Sequence, residues 1–168
     1  MISGRRLGAV VSLLGVAAGP TQSAWAQGAN TTVLANVLQG IVVTPTQHLT
    51  FGNVFPGVDK TISAEAGGLE GRFQVTGQAN SNVSLIFTLP TDLVSGANLL
   101  PVGSWTGRHH VNPVAAPGVV FIPSGAATTT QLSALGQRFV FIGATVSPAA
   151  NQPAGIYSAV ITLSVAYF

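Results

Sequence analysis

The stretch that decides the fold is the last one: residues 155–168, Gly-Ile-Tyr-Ser-Ala-Val-Ile-Thr-Leu-Ser-Val-Ala-Tyr-Phe. Tyr157, Ala159, Ile161, Leu163, Val165 and Tyr167 fall on one parity, while Ser158, Thr162 and Ser164 fall on the other, with Val160 among them. Successive side chains of an extended chain point to opposite faces. A strict period of two therefore marks a half-buried β-strand. This run predicts the longest strand of the protein.

The same reading extends upstream. Val33, Ala35 and Val37 alternate with Leu34, Asn36 and Leu38, and an apolar run at Ile41–Val43 ends at Pro45. Leu49, Phe51 and Val54 suggest a second strand. Phe73 and Val75 alternate with Gln74 and Thr76, and Val83, Leu85, Phe87 and Leu89 repeat the pattern up to Pro90. Val119–Ile122 and Phe139–Val146 supply two more. Gly, Pro, Asn and Ser fill the gaps, as turn conformations require. Residues 96–118 are less regular and read as a surface excursion or an edge hairpin, with a loop over 101–117. Short strands separated by turn signals, with no helix beyond one turn at Leu132–Gly136, predict an all-β, immunoglobulin-like β-sandwich.

Composition narrows the function. Charged residues make up 6% of the 168-residue chain, against about 25% in an ordinary soluble protein. There is no cysteine, so disulfide scaffolds, thiolate metal sites and cysteine nucleophiles are excluded. Arg5 and Arg6, the apolar run Leu7–Ala18, and Ala24-Trp25-Ala26 have the order of a secretory signal peptide cleaved after Ala26. We therefore expect a signal peptide over 1–26, export through the general secretory route, and a mature chain over 27–168. In that mature chain Lys60, Arg72, Arg108 and Arg138 balance Asp59, Glu65, Glu70 and Asp92. A neutral surface gives no attraction for phosphate, so nucleic acid is not an expected partner.

No catalytic constellation emerges. The chain has no Gly-x-Ser-x-Gly elbow and no phosphate-cradling loop. Asp59 and Glu65 could approach one another, but edge charges that discourage aggregation explain them better. His109 and His110 are adjacent and would point to opposite faces of a strand. We expect no enzyme, no cofactor and no metal. Trp105, Arg108, His109 and His110 form a candidate ligand patch, for a glycan or another surface ligand, in which an aromatic face would stack on a sugar ring.

Counted from the C-terminus, Tyr167 is penultimate, Val165, Leu163 and Ile161 alternate before it, and Gly155 stands fourteenth. This combination resembles the C-terminal signature of chaperone–usher pilus subunits. Leu49-Thr50-Phe51-Gly52, Gly71-Arg72-Phe73-x-Val75-x-Gly77 and Phe141-Ile142-Gly143-Ala144 are similar to a family of small secreted bacterial domains of uncertain function grouped with fimbrial subunits. The resemblance covers most of residues 33–168. It departs from the many pilins that carry a disulfide.

The resemblance implies a sandwich lacking its final strand, over residues 40–168, and a mature N-terminal segment over 27–39 that completes a neighbouring copy. Val33, Ala35 and Val37 would be the donor-strand knobs. Gly155, Tyr157, Ile161, Leu163, Val165 and Tyr167 would form the subunit and chaperone interface, with Gly155 permitting a sharp bend into the last strand. The implied partners are copies of itself or other pilus subunits, a periplasmic chaperone and an outer-membrane usher. The implied location is the periplasm and then the cell surface or fimbrium. From the residues alone, 33–43 could equally be the first strand of a complete domain. The competing function is then a self-complete secreted β-sandwich that binds a glycan or other ligand.

Overall fold

A computed structural model describes residues 31–168. The expected signal peptide and the start of the expected donor segment, residues 1–30, lie outside the described residues. The chain divides into two units at Ala35/Asn36, and the fold is that of Asn36–Phe168.

It is all-β. Ten strands follow in order: β1 (Val42–Gln47), β2 (Lys60–Ile62), β3 (Gly71–Thr76), β4 (Asn82–Thr88), β5 (Asp92–Ser95), β6 (Asn98–His110), β7 (Val119–Phe121), β8 (Thr128–Gln131), β9 (Gln137–Val146) and β10 (Thr162–Tyr167). A large sheet runs β1-β3-β9-β6-β5, with β2 added to β9 and β7 to β6, and a small sheet runs β10-β4-β8. Every pairing is antiparallel.

The two sheets bury a shared core. Val75 of β3 and Val140 and Ile142 of β9 meet Val83, Leu85 and Phe87 of β4 and Leu163 of β10. All of these are under a tenth exposed, and each such side chain contributes about 1.5–3 kcal/mol by leaving water. The alternation read along β3 and β4 is the one observed. Along β9 both faces are buried, because loop residue Ala64 packs with Phe139 and Phe141 on the outer side of the large sheet.

Several expectations need correction. The irregular segment 96–118 is mostly β6, the longest strand, hydrogen-bonded to β9 along one edge and to β5 and β7 along the other. Its period is broken by a register shift between Gly103 and Thr106, with Ser104 at φ 48°. Such a bulge changes which parity faces inward, and so hides the strand from a period-two reading. Pro45 does not end β1. It lies within it, beside a register shift at Pro45/Gln47, which a strand at the edge of a sheet tolerates. Leu49, Phe51 and Val54 form no strand but pack, half-buried, on Leu100, Val102, Ala144 and Val146. The last strand is shorter than its pattern: it begins at Thr162, and of residues 157–161 only Ser158 forms a bridge, to Val94.

Candidate functional site

The shortened last strand creates the site. The three strands of the small sheet cover only part of the inner face of the large one. Over Leu100, Val102, Ala144 and Val146 the small sheet lays no strand among the described residues, and half-buried Leu49, Phe51, Val54, Leu93, Trp105 and Tyr157 pack there. What remains is a groove of about 1140 Å³. One wall is the end of β1 and residues 48–56, the other is residues 153–161, and Phe73, Leu100, Val102, Trp105 and Val146 line it between them.

The groove ends at Ile161, and an unpaired edge begins at the next residue. β10 pairs with β4 from Thr162↔Thr88 to Tyr167↔Val83, and its other edge has no strand among the described residues. β1 likewise pairs only with β3. The two edge strands differ in what they offer. β1 carries Pro45, which has no N–H to give. β10 has no proline, so its outer edge is a template for an added strand.

Tyr167 fixes one end of this arrangement. Its hydroxyl donates to the Gln39 carbonyl at 2.6 Å and accepts from the Gln78 N–H at 2.6 Å. The end of β10 is thereby tied both to the chain that leads into β1 and to the turn between β3 and β4. Gly77 permits this approach, since a Cβ there would lie 2.5 Å from the Tyr167 hydroxyl.

The other residues of the expected interface are placed as follows. Leu163 is buried, while Ile161, Val165 and Tyr167 are half-buried against the main core. Tyr157 donates its hydroxyl to the Pro153 carbonyl at 2.8 Å and accepts from Gln152 Nε2 at 2.8 Å, at the groove wall. Gly155 lies at the same wall. It does not adopt a positive φ; a Cβ there would stand 2.7 Å from the Ser95 hydroxyl, which would have to turn away. Val33, Ala35 and Val37 belong to an exposed stretch with no strand, Val33 and Val37 being 89% and 90% exposed.

The candidate ligand patch is not brought together. The bulge at Gly103–Ser104 turns Trp105 inward, where it packs on both core clusters and lines the groove. His109 is also inward, 6% exposed, against Phe121 and within 3.3 Å of the Thr130 hydroxyl. Arg108 points to the opposite face, pairing with Glu65 at 2.5 Å and donating to the Gly118 carbonyl. His110 accepts from the Asn112 N–H. Burial first, then the charges of Arg138 and His110, lower the His109 pKa to about 4. Burial also lowers that of Arg138, whose guanidinium reaches the Gln131 carbonyl of β8.

Sequence reasoning missed the groove-lining role of residues 48–56 and the buried Glu70. Glu70 Oε1 accepts from Arg72 at 2.7 Å and Oε2 from the Gly68 N–H at 2.7 Å. Burial pushes this carboxyl up, but the Arg72 guanidinium and the backbone N–H outweigh it and hold it below its ordinary value. Arg72 in turn lies over the Phe141 ring, 5.1 Å from its centroid. The Glu70-x-Arg72 spacing, which puts opposite charges on one face of a strand, was the available signal. Among the described residues no three His, Asp or Glu side chains cluster as metal ligands.

Residues 59–167 match the family described as Domain of unknown function (DUF4402). The chain belongs to the DUF4402 family. The matched DUF4402 region takes in all of β2 through β10, including the 153–161 wall of the groove and the unpaired edge of β10. It does not include β1, the wall at 48–56, or the exposed apolar stretch before them. A comparison with curated proteins gives no match.

Proposed function

We propose that this protein is a non-catalytic structural subunit that is exported and assembles on the cell surface by strand complementation. The N-terminal segment of one copy, or of a related subunit, would fill the groove of the next. The observation that supports this reading is the apolar groove that leads up to the unpaired edge of β10 at Ile161/Thr162. An extended segment laid there gains main-chain hydrogen bonds from the edge and pockets for alternate side chains. Residues 31–39 have the matching form: no strand of their own, with Val33, Ala35 and Val37 at period two and exposed. On this reading the same edge would be held by a periplasmic chaperone during export and passed on at an outer-membrane usher. Trp105 then serves as groove lining, and no glycan is required.

The test is thermal melting of a chain that begins at Gly40, with and without a peptide spanning residues 27–39. A peptide present at about a hundred times its dissociation constant stabilises by about 2.7 kcal/mol. For a domain of this size that is a rise of roughly 10 °C. An unchanged, already high melting temperature would show that the domain is complete without these residues and would end this reading.

A further inference from the structure

The sandwich has two ends; one presents an exposed leucine to water and the other several exposed apolar side chains. At one end lie Gln39, Tyr167, the β3–β4 turn and the Ser133–Gly136 turn. Tyr167 bonds to Gln39 and Gln78, while Gly77 and Asn80 donate to the carbonyls of Gly136 and Ser133. Leu135 at the tip of that last turn is 83% exposed. At the other end the β5–β6 hairpin overhangs β9, whose final pair is Val146↔Val102. It is joined there by Gly57, which donates to the Pro148 and Ala149 carbonyls, and by Gln152, which donates to the Leu99 carbonyl. Val58, Leu99 and Ile156 are 58%, 57% and 91% exposed at this end. Residues 77–81 and 133–137 at the first end carry no charge, nor do 53–58, 96–99 and 148–157 at the second.

Strand polarity decides which ends face each other, if the strand-complementation reading holds. β1 runs away from Gln39, and β10 runs towards the Tyr167 end. Antiparallel pairing is the more stable arrangement per residue, and it is the only kind among the described residues. A donor segment antiparallel to β10 therefore enters with residue 31 near the acceptor's Tyr167 end and residue 38 near the far end. Its root at Gln39 emerges beside Val58, Leu99 and Ile156 of the acceptor. The donor's own Gln39 end, bearing Leu135, must follow it there.

We propose that consecutive copies of this chain meet in a second, end-to-end contact outside the groove, in which Leu135 of the donor copy seats against Val58, Leu99 and Ile156 of the acceptor copy. The contact seats one exposed leucine, on turns that carry no charge, against three exposed apolar side chains, and the nearest charges, Asp59 and Lys60, lie at its rim beside Val58. It fixes the angle between subunits, which a lone inserted strand leaves free.

The experiment is sedimentation velocity of the full chain and its variants across a concentration series. Leu135→Lys and Leu99→Asp each lower the association constant about tenfold, as loss of a contact residue does, with melting temperature unchanged. Val58→Asp does the same and stands in for Leu99→Asp should that variant unfold. An equimolar mixture of Leu135→Lys and Leu99→Asp recovers association in part, because the two variants can alternate, and each joint between unlike copies is either unmodified or oppositely charged. Val37→Asp, in the donor segment, abolishes association. If Val37→Asp abolishes it but the end variants leave it unchanged, the end contact is refuted and strand complementation stands. An effect of Leu135→Lys without one of Leu99→Asp or Val58→Asp would mean that like ends meet, and would also refute it. If Val37→Asp leaves association intact, strand complementation itself falls.

Discussion

Tyr167→Phe isolates the contribution of one hydroxyl at the root of the last strand. The ring stays, so packing against the core is unchanged, and only the oxygen is lost. Two hydrogen bonds go with it, each 2.6 Å long: the one donated to the Gln39 carbonyl and the one accepted from the Gln78 N–H. A net hydrogen bond contributes about 1 kcal/mol, and a stranded, partly buried N–H adds to the loss. The expected destabilisation is about 2 kcal/mol. A domain of this size loses about 3–4 °C of melting temperature per kcal/mol, so the fall is roughly 7 °C. Urea unfolding of the wild type and variant at low protein concentration reads it directly, with an unchanged m-value if only stability has moved. Tyr157→Phe is the control. Its hydroxyl also makes two bonds, of 2.8 Å each, but to an exposed carbonyl and a flexible glutamine side chain. It should cost no more than about 1 kcal/mol. A Tyr167→Phe protein within about 0.5 kcal/mol of wild type would refute the view that this hydroxyl ties the last strand to the start of β1.

Two further perturbations probe the buried polar groups. His109 titrates near 4 when folded and near 6.5 when unfolded, so it is neutral in both states above pH 6.5. As pH falls from 6.5 to 4 the unfolded chain takes up a proton that the folded one refuses, and stability drops by up to about 3 kcal/mol. Urea unfolding at several pH values should show that slope in the wild type and a flatter one in His109→Asn; equal slopes would contradict it. Glu70→Gln keeps the shape but leaves Arg72 without its counter-ion, at an expected loss of about 2–3 kcal/mol, since Arg72 retains some solvent. The lowered Glu70 pKa stabilises the fold above pH 4.5 and ceases to do so as pH falls through its folded value. The variant should therefore lose part of the acid sensitivity below pH 4.5, and retention of all of it would assign that sensitivity elsewhere.

How much was legible in the sequence follows from what period two can report. It found β3 and β4, which bury one parity and expose or half-expose the other, and it found the inward set of β10. It overlooked β8, whose Thr-Thr-Thr-Gln has no apolar parity to show, and β2 and β5, which are short. It misread β6, because one bulge moves the inward set from Leu100 and Val102 to Trp105 and His109. The candidate patch was drawn from neighbours in sequence, and the strand then divided it between two faces.

The sequence by itself determined the fold class, the neutral character of the domain and the apolar parity of the last strand. Those are local properties: the period of a strand, the count of charges, the residues that allow turns. Only the tertiary structure decided that the alternating run at 157–167 pairs from Thr162 onward, leaving Tyr157–Ile161 as one wall of a groove. It also decided that residues 48–56 form the other wall, that Tyr167 reaches Gln39, and that Glu70 is buried on Arg72. The physical reason is that pairing depends on a partner edge far away in sequence, and an alternating run looks the same whether its edge is filled or empty.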